Sequence, residues 1–237
     1  MGMNLLPTDG KLCSFNCIYC ECGLNENHRT RSKLPTRAEV KEALIHKLSS
    51  MQAEGVAPDV ITFAGNGEPT MHPEFAGIID DTIETRNCFF PKAKIAVLSN
   101  STMLYKEDVF QALNKIEDNI LKLDSISDSR IGQLNVPNSP AFTFDWLLEQ
   151  LCRFNGNLII QTMFLKGEVN GESVTNTTEH EISGWLEALK QIKPKQVMIY
   201  TIDRETPVKN LKKVTKDELE AIADRARQEG FEVMVSA

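Results

Sequence analysis

Cys13-Ser14-Phe15-Asn16-Cys17-Ile18-Tyr19-Cys20 places three thiols in eight residues, separated by three and then two intervening positions. The stretch follows a short apolar run, Met3 to Leu6, closed by the turn formers Pro7, Thr8, Asp9 and Gly10. That reads as a loop, residues 7–23, leaving the end of a strand. Thiolates at positions 1, 5 and 8 of a loop can wrap one compact object larger than a single ion, and thiolate sulfur is the usual ligand of iron–sulfur clusters. A four-iron cubane held by three cysteines keeps one iron without a protein ligand. The competing metal is a structural zinc with Cys22 or His28 as fourth ligand. Zinc sites usually pair one C-x2-C with a second, distant pair of ligands. No such pair is present, and Cys20 and Cys22 are too close in sequence to close a tetrahedron well.

Outward from this loop, helices and strands alternate. Thr36 and Glu39 form a capping-box pattern ahead of Val40, Leu44, Leu48 and Met51 at helical spacing. Pro58 to Phe63 reads as a buried strand, followed by a Gly-rich loop and a helix from Pro73. Strand Ala93 to Leu98 leads to a helix from Glu107 to Ile116, then a short strand, Asn119 to Leu123. The segment from Ser127 to Pro140 reads as irregular or briefly helical, broken by Pro137 and Pro140. An amphipathic helix carries Phe144, Leu147, Leu148, Leu151 and Cys152, ahead of strand Asn157 to Phe164 and a polar loop from Lys166 to Thr177. Capping-box patterns at Thr178–Glu181 and Thr215–Glu218 open the last two helices, around strand Lys195 to Ile202, and Phe231 to Ser236 adds a final strand. Continuous apolar strands fit a parallel sheet covered on both faces, with right-handed crossovers. Six β/α units are too few for the closed eight-fold barrel. The expected fold is α/β, an open (β/α)6 partial barrel with parallel strands in one domain, residues 1–237.

With Tyr19 directly before the last thiol, the cysteine spacing resembles the signature of the radical S-adenosylmethionine (SAM) superfamily. The resemblance implies the same partial barrel and a [4Fe-4S] cluster on Cys13, Cys17 and Cys20. It implies that the open iron chelates the methionine amino and carboxylate groups of SAM. An electron from a donor such as flavodoxin or ferredoxin would then yield methionine and a 5′-deoxyadenosyl radical that abstracts hydrogen from a substrate. Tyr19 is expected near the adenine. Closer texture (Asn4-Leu5-Leu6-Pro7, Cys20-Glu21-Cys22-Gly23, Ser99-Asn100-Ser101, Lys122-Leu123-Asp124) resembles bacterial proteins grouped with the tRNA wyosine-base synthases. Those synthases carry a second cluster on additional N-terminal cysteines, which this sequence lacks. The tRNA substrate is therefore not carried over, and wyosine-synthase-like tRNA modification stays as an alternative. Twelve residues precede Cys13, which leaves open an upstream segment missing from this sequence.

In such folds the strand C-terminal ends line the active face. After the second strand comes Gly65-Asn66-Gly67-Glu68-Pro69, where glycines allow close backbone approach and Glu68 can bond an ammonium. The superfamily's Gly-Gly-Glu-Pro-like motif binds the SAM amino group; here Asn66 separates the glycines. Ser99 and Asn100, after the third strand, suit the SAM carboxylate or ribose hydroxyls, and equally suit ordinary turn chemistry. Lys122 and Asp124 alternate with Leu121 and Leu123, so both charges share a face and are expected to touch substrate or ribose. Gln161, Thr162 and Tyr200 end the later strands and are candidates for ribose, adenine or substrate contacts. Cys152 and Cys88 read as core, and the four histidines as surface or capping residues.

Hydrophobic residues at 41% and charged residues at 25% describe an ordinary globular chain. No apolar run approaches the ~20 residues of a membrane span, no signal peptide is visible, and a cytoplasmic protein without a membrane partner is expected. The balance of 26 basic to 33 acidic residues, net −7, argues against a nucleic-acid grip. The basic runs Arg29-Thr30-Arg31-Ser32-Lys33 and Lys209 to Lys216 read as solvated faces, the first being close enough to the cysteines to meet an anionic substrate. Three functions remain: a radical enzyme acting on a small molecule, peptide or nucleotide; an activator placing a radical on a partner protein; and a non-enzymatic iron–sulfur or zinc module.

Overall fold

The computed structural model describes residues 1–25 and 32–237. His28 and the basic residues Arg29 and Arg31 lie outside the described residues. The chain divides into two compact units, Met1–Cys13 with His28–Asn119 and Ser14–Asn27 with Ile120–Ala237.

The first unit carries strands β1 (Gly2–Met3), β2 (Val60–Phe63) and β3 (Lys94–Ser99) and helices α1 (Arg37–Ala53), α2 (Phe75–Phe89) and α3 (Glu107–Asn114). β1 pairs with β2 and β2 with β3, all parallel. Ile61, Phe63, Ile95 and Val97 are wholly buried, as their unbroken apolar strands require. The first strand is shorter than the apolar run suggested: Leu5 and Leu6 are buried but lie beyond β1, in the chain leading to the cysteines. α1 begins with the full capping box, Glu39 N–H donating to Thr36 Oγ1 and Thr36 N–H to Glu39 at 2.7 Å. It packs on α2 and buries Val40, Leu44 and Leu48. At the seam Arg37 pairs with Asp81 at 2.6 Å and Lys41 with Asp81 at 3.1 Å.

In the second unit β4 (Asp118–Lys122, with Ile120–Lys122 in this unit), β5 (Ile159–Met163), β8 (Gln196–Tyr200) and β10 (Val233–Ser236) run parallel in that order. The helices here are α4 (Asp128–Leu134), α5 (Phe144–Cys152), α6 (Glu179–Ile192) and α7 (Lys216–Gln228). β1 and β10 each pair with a single strand among the described residues, leaving open edges. The α/β class with parallel strands is as the sequence indicated.

Three readings need correction. The Lys166–Thr177 loop is a small antiparallel sheet, β6 (Leu165–Val169) pairing with β7 (Glu172–Ser173) and with β9 (Leu211–Lys213). Asn170 and Gly171, both at positive φ (53° and 82°), form the hairpin turn, the Asn-Gly signal of a type I′ connection. Thr178 caps α6 through Glu181 N–H, but the Glu181 side chain turns away to Ser125 Oγ (2.8 Å) and Ile126 N (3.2 Å), so the reciprocal half of that box is absent. Cys88 is exposed, and Cys152 is only partly buried. No helix among the described residues is long and apolar enough to cross a membrane.

Candidate active site

In the first unit the Gly-rich loop grips the chain entering the cysteines. Glu68 N–H donates to Leu12 O at 2.9 Å, and Leu12 N–H to Asn66 O at 2.9 Å. Gly67 sits at φ +143°, where a Cβ would lie 1.7 Å from Leu12 O. Its missing side chain thus serves a contact within the chain. Gly65 is similar, a Cβ there meeting Asn4 Oδ1 at 2.3 Å.

Glu68 is 2% exposed. Its Oε1 accepts Thr70 N–H at 3.1 Å, the Thr70 hydroxyl, and Ser99 Oγ–H at 2.9 Å; its Oε2 accepts Asn100 N–H at 2.6 Å. A carboxylate has about four acceptor positions; three of these donors converge on Oε1 and one reaches Oε2. Burial pushes the Glu68 carboxyl above its ordinary value, against the downward pull of the Asn100 and Thr70 donors. Asn100, so placed, directs its Nδ2 to Cys13 Sγ at 3.5 Å. Ser101 follows at φ 70°, wholly buried, its hydroxyl without a hydrogen-bond partner. Strain and an unpaired buried group at one turn are features that collect at functional sites.

In the second unit the loop from Ser14 to Ile18 lies against the end of α4. Asn16 N–H donates to Asn135 O (2.9 Å), Ile18 N–H to Leu134 O (3.0 Å) and Asn138 N–H to Ser14 O (2.9 Å). Phe15 packs edge-on to Phe142, ring centres 5.1 Å apart. Cys20 N–H donates to Cys17 O at 3.1 Å, and Gly23 N–H to Cys20 O at 2.9 Å, turning the chain back. Among the described residues no cysteine is in a disulfide.

Behind this loop lies a buried polar group. Asp124 accepts the Tyr19 hydroxyl, Asn135 Nδ2 at 2.7 Å and Met163 N–H at 2.9 Å. Asn135 Nδ2 also lies 2.9 Å from Tyr19 Oη and 3.6 Å from Cys17 Sγ. Lys122 Nζ donates to Tyr200 Oη at 3.0 Å, stands 3.5 Å from Asp124, and lies over the Tyr19 and Tyr200 rings. Desolvation works to lower the lysine's value, but Asp124 and Tyr200 outweigh it and hold the ammonium protonated. Burial raises the Cys17 thiol and the Tyr19 and Tyr200 hydroxyls.

Lys122 and Asp124 thus share a face, as their alternation with Leu121 and Leu123 indicated. Gln161 is in register with Lys122, and Met163 with Tyr200, so both belong to that face and Gln161 stays half-exposed on it. Thr162 faces the other way, donating to Leu123 O at 2.7 Å and accepting from Trp185 Nε1 at 2.9 Å. Asn135 is the residue the sequence did not reveal. Its nearest signal was Pro137, which ends α4 just beyond it. The basic run from Lys209 is tied to acids, Lys209 to Glu205 (3.6 Å) and Lys213 to Asp203 (3.8 Å), as a solvated face would be.

No family model matches the chain. A Helicobacter pylori UPF0026 protein is 30% identical over 227 residues, covering 92% of this chain and 67% of that protein. A Brachyspira hyodysenteriae protein named GTPase Obg is 26% identical over 224 residues, covering 93% of this chain but 30% of its own length. Among solved structures, Streptococcus suis SuiB bound to S-adenosylmethionine superposes at TM-score 0.68 and 14% identity, over 97% of this chain and 49% of that one. The anSMEcpe protein with bound AdoMet gives 0.63 at 14%, over 99% and 64%. TYW1 with a lysine-pyruvate adduct gives 0.61 at 15%, over 92% and 70%. The chain therefore spans about half of SuiB, and at these identities what is shared is the fold. That fold is the one the cysteine motif implied.

Proposed function

The chain belongs to the UPF0026 proteins, and from that membership, its fold and its cysteine loop we propose that it is a radical SAM enzyme. The observation carrying this reading is the Cys13–Cys17–Cys20 spacing on a fold shared with SAM-bound proteins. Three cysteines on one short loop are the donor type a [4Fe-4S] cluster takes, and two of their sulfurs face amide N–H groups. Among the described residues no three His, Cys, Asp or Glu side chains already stand together as a site for a single metal ion. Bound there, such a cluster supplies the electron for reductive cleavage of the SAM sulfonium.

This chain's own residues do the rest. Gly65, Gly67 and Glu68 shape the loop that holds Leu12 and Cys13 and present Ser99 and Asn100. Lys122, Gln161 and Tyr200 offer a cation and polar groups to the substrate or ribose, while Asp124 holds Tyr19 beside the cysteines. Thr162 supports its strand from behind. An electron donor of the flavodoxin or ferredoxin kind, and a location in the cytoplasm, complete the reading.

TYW1 carries a lysine-pyruvate adduct. Lys122 is a poor candidate for such an adduct, because a carbonyl is attacked by a neutral amine and this one is paired with Asp124 and Tyr200. The sequence has no G-x4-G-K-[ST] phosphate loop, so GTP hydrolysis is not a second reading. The test is anaerobic reconstitution with iron and sulfide. About four irons per chain with the paramagnetic signal of a reduced cubane are expected for a [4Fe-4S] site, and one tetrahedral zinc would contradict the proposal. Lys122→Met is expected to weaken SAM binding or deoxyadenosine formation about tenfold, the scale of one lost charge-assisted hydrogen bond. Unchanged values for both contradict the role of Lys122.

A further inference from the structure

We propose that Asn100 and Asn135 are positioning residues for the cluster thiolates, each donating a side-chain N–H to one sulfur and thereby raising the reduction potential. The inference rests on the cluster assignment above and goes beyond it, because it gives Asn100 a sulfur rather than SAM as its partner and assigns a role to Asn135.

The amide orientations follow from their other partners. Asn100 Oδ1 accepts the Thr102 backbone N–H at 3.1 Å and the Thr102 hydroxyl at 2.8 Å. A backbone N–H can only donate, so the oxygen faces Thr102 and the nitrogen faces Cys13 Sγ, 3.5 Å away. Asn135 Nδ2 is 2.7 Å from Asp124 Oδ2, an oxygen that also accepts the Tyr19 hydroxyl, which places the nitrogen on the side of Cys17. Its second N–H is shared between Tyr19 Oη at 2.9 Å and Cys17 Sγ at 3.6 Å. Both asparagines are almost fully buried, at 6% and 3% exposure, so water does not compete strongly for these donors.

Their backbones are held as firmly as their side chains. Asn100 N–H ends on Glu68 at 2.6 Å, and Asn135 O accepts Asn16 N–H at 2.9 Å, one residue before Cys17. Hydrogen bonds to cluster sulfurs stabilise the reduced, more negative state and so raise the potential. For a cluster that must accept an electron before it can pass one on, a higher potential eases the first step.

The experiment is an EPR-monitored redox titration of the reconstituted protein without SAM, comparing wild type with Asn100→Leu and Asn135→Leu, which remove the N–H donors at similar volume. Each variant is expected to keep the wild-type iron content while its midpoint shifts to more negative potential. An unchanged or more positive midpoint in both overturns the inference. A leucine variant that fails to fold is replaced by the serine variant, whose side chain is too short to reach the sulfur, and the same criterion applies. Measuring without SAM separates this role from SAM binding, which would alter SAM affinity and leave the midpoint in place. A wild-type protein that takes up no cubane overturns both the proposed function and this inference. A cubane with an unmoved midpoint overturns this inference alone.

Discussion

Glu68 Oε2 and the backbone N–H of Asn100 are 2.6 Å apart, joining the loop after β2 to the end of β3 through one buried carboxylate. The same carboxylate takes donors from Thr70 and Ser99. A side chain so occupied is part of the scaffold. Glu68→Ala would leave several buried donors unsatisfied, each worth roughly 1–3 kcal/mol. We expect a loss of at least about 3 kcal/mol in urea unfolding of the cluster-free protein. A variant with wild-type stability and only weakened SAM binding would show instead that Glu68 serves the ligand directly.

Gly67 and Gly132 form a matched pair for substitution. At Gly67 an alanine Cβ would lie 1.7 Å from the backbone oxygen of Leu12, at φ +143°, so Gly67→Ala should destabilise by about 2 kcal/mol or more. In α4, Gly132 has open space around the same position. There Gly132→Ala should stabilise by about 0.5–1 kcal/mol, the propensity difference between the two residues in a helix. Equal effects on the thermal midpoint would refute the claim that the Gly-rich loop is built around Leu12.

How much of this was legible in the sequence depends on how local the signal was. The apolar strands and two of the three capping boxes are encoded within a few residues, and each appears as expected. Asn135 was hidden because its sulfur partner is 118 positions away, and no local pattern marks an amide that bonds across that interval. Glu181 carried the right residue for a cap but found stronger partners in the turn after Asp124. The β6–β7 hairpin did have a local mark, Asn170-Gly171, masked by the polar residues around it. Gly65 and Gly67 were read as letting the backbone approach a ligand, whereas the groups packed against them here are Asn4 and Leu12 of this chain.

Glu218 gives a pH test away from the site. Lys166 first, and then the Thr215 backbone and hydroxyl, hold its carboxyl down at about 2 from an ordinary value of 4.5. A group with a lowered folded value stabilises fully above its unfolded value and loses that contribution as pH falls toward the folded one. The stability difference between wild type and Glu218→Gln should therefore be constant above pH 4.5 and shrink between pH 4.5 and about 2. A difference that does not change across that interval would contradict the pairing seen at the start of α7.

The most direct measurement is deoxyadenosine release from SAM by anaerobically reconstituted protein under dithionite, run beside the Cys17→Ala variant. The account predicts 5′-deoxyadenosine and methionine in equal amounts from the wild-type protein and none above background from the variant. A cluster-loaded wild-type protein that leaves SAM intact, or a variant that cleaves it equally well, would contradict it.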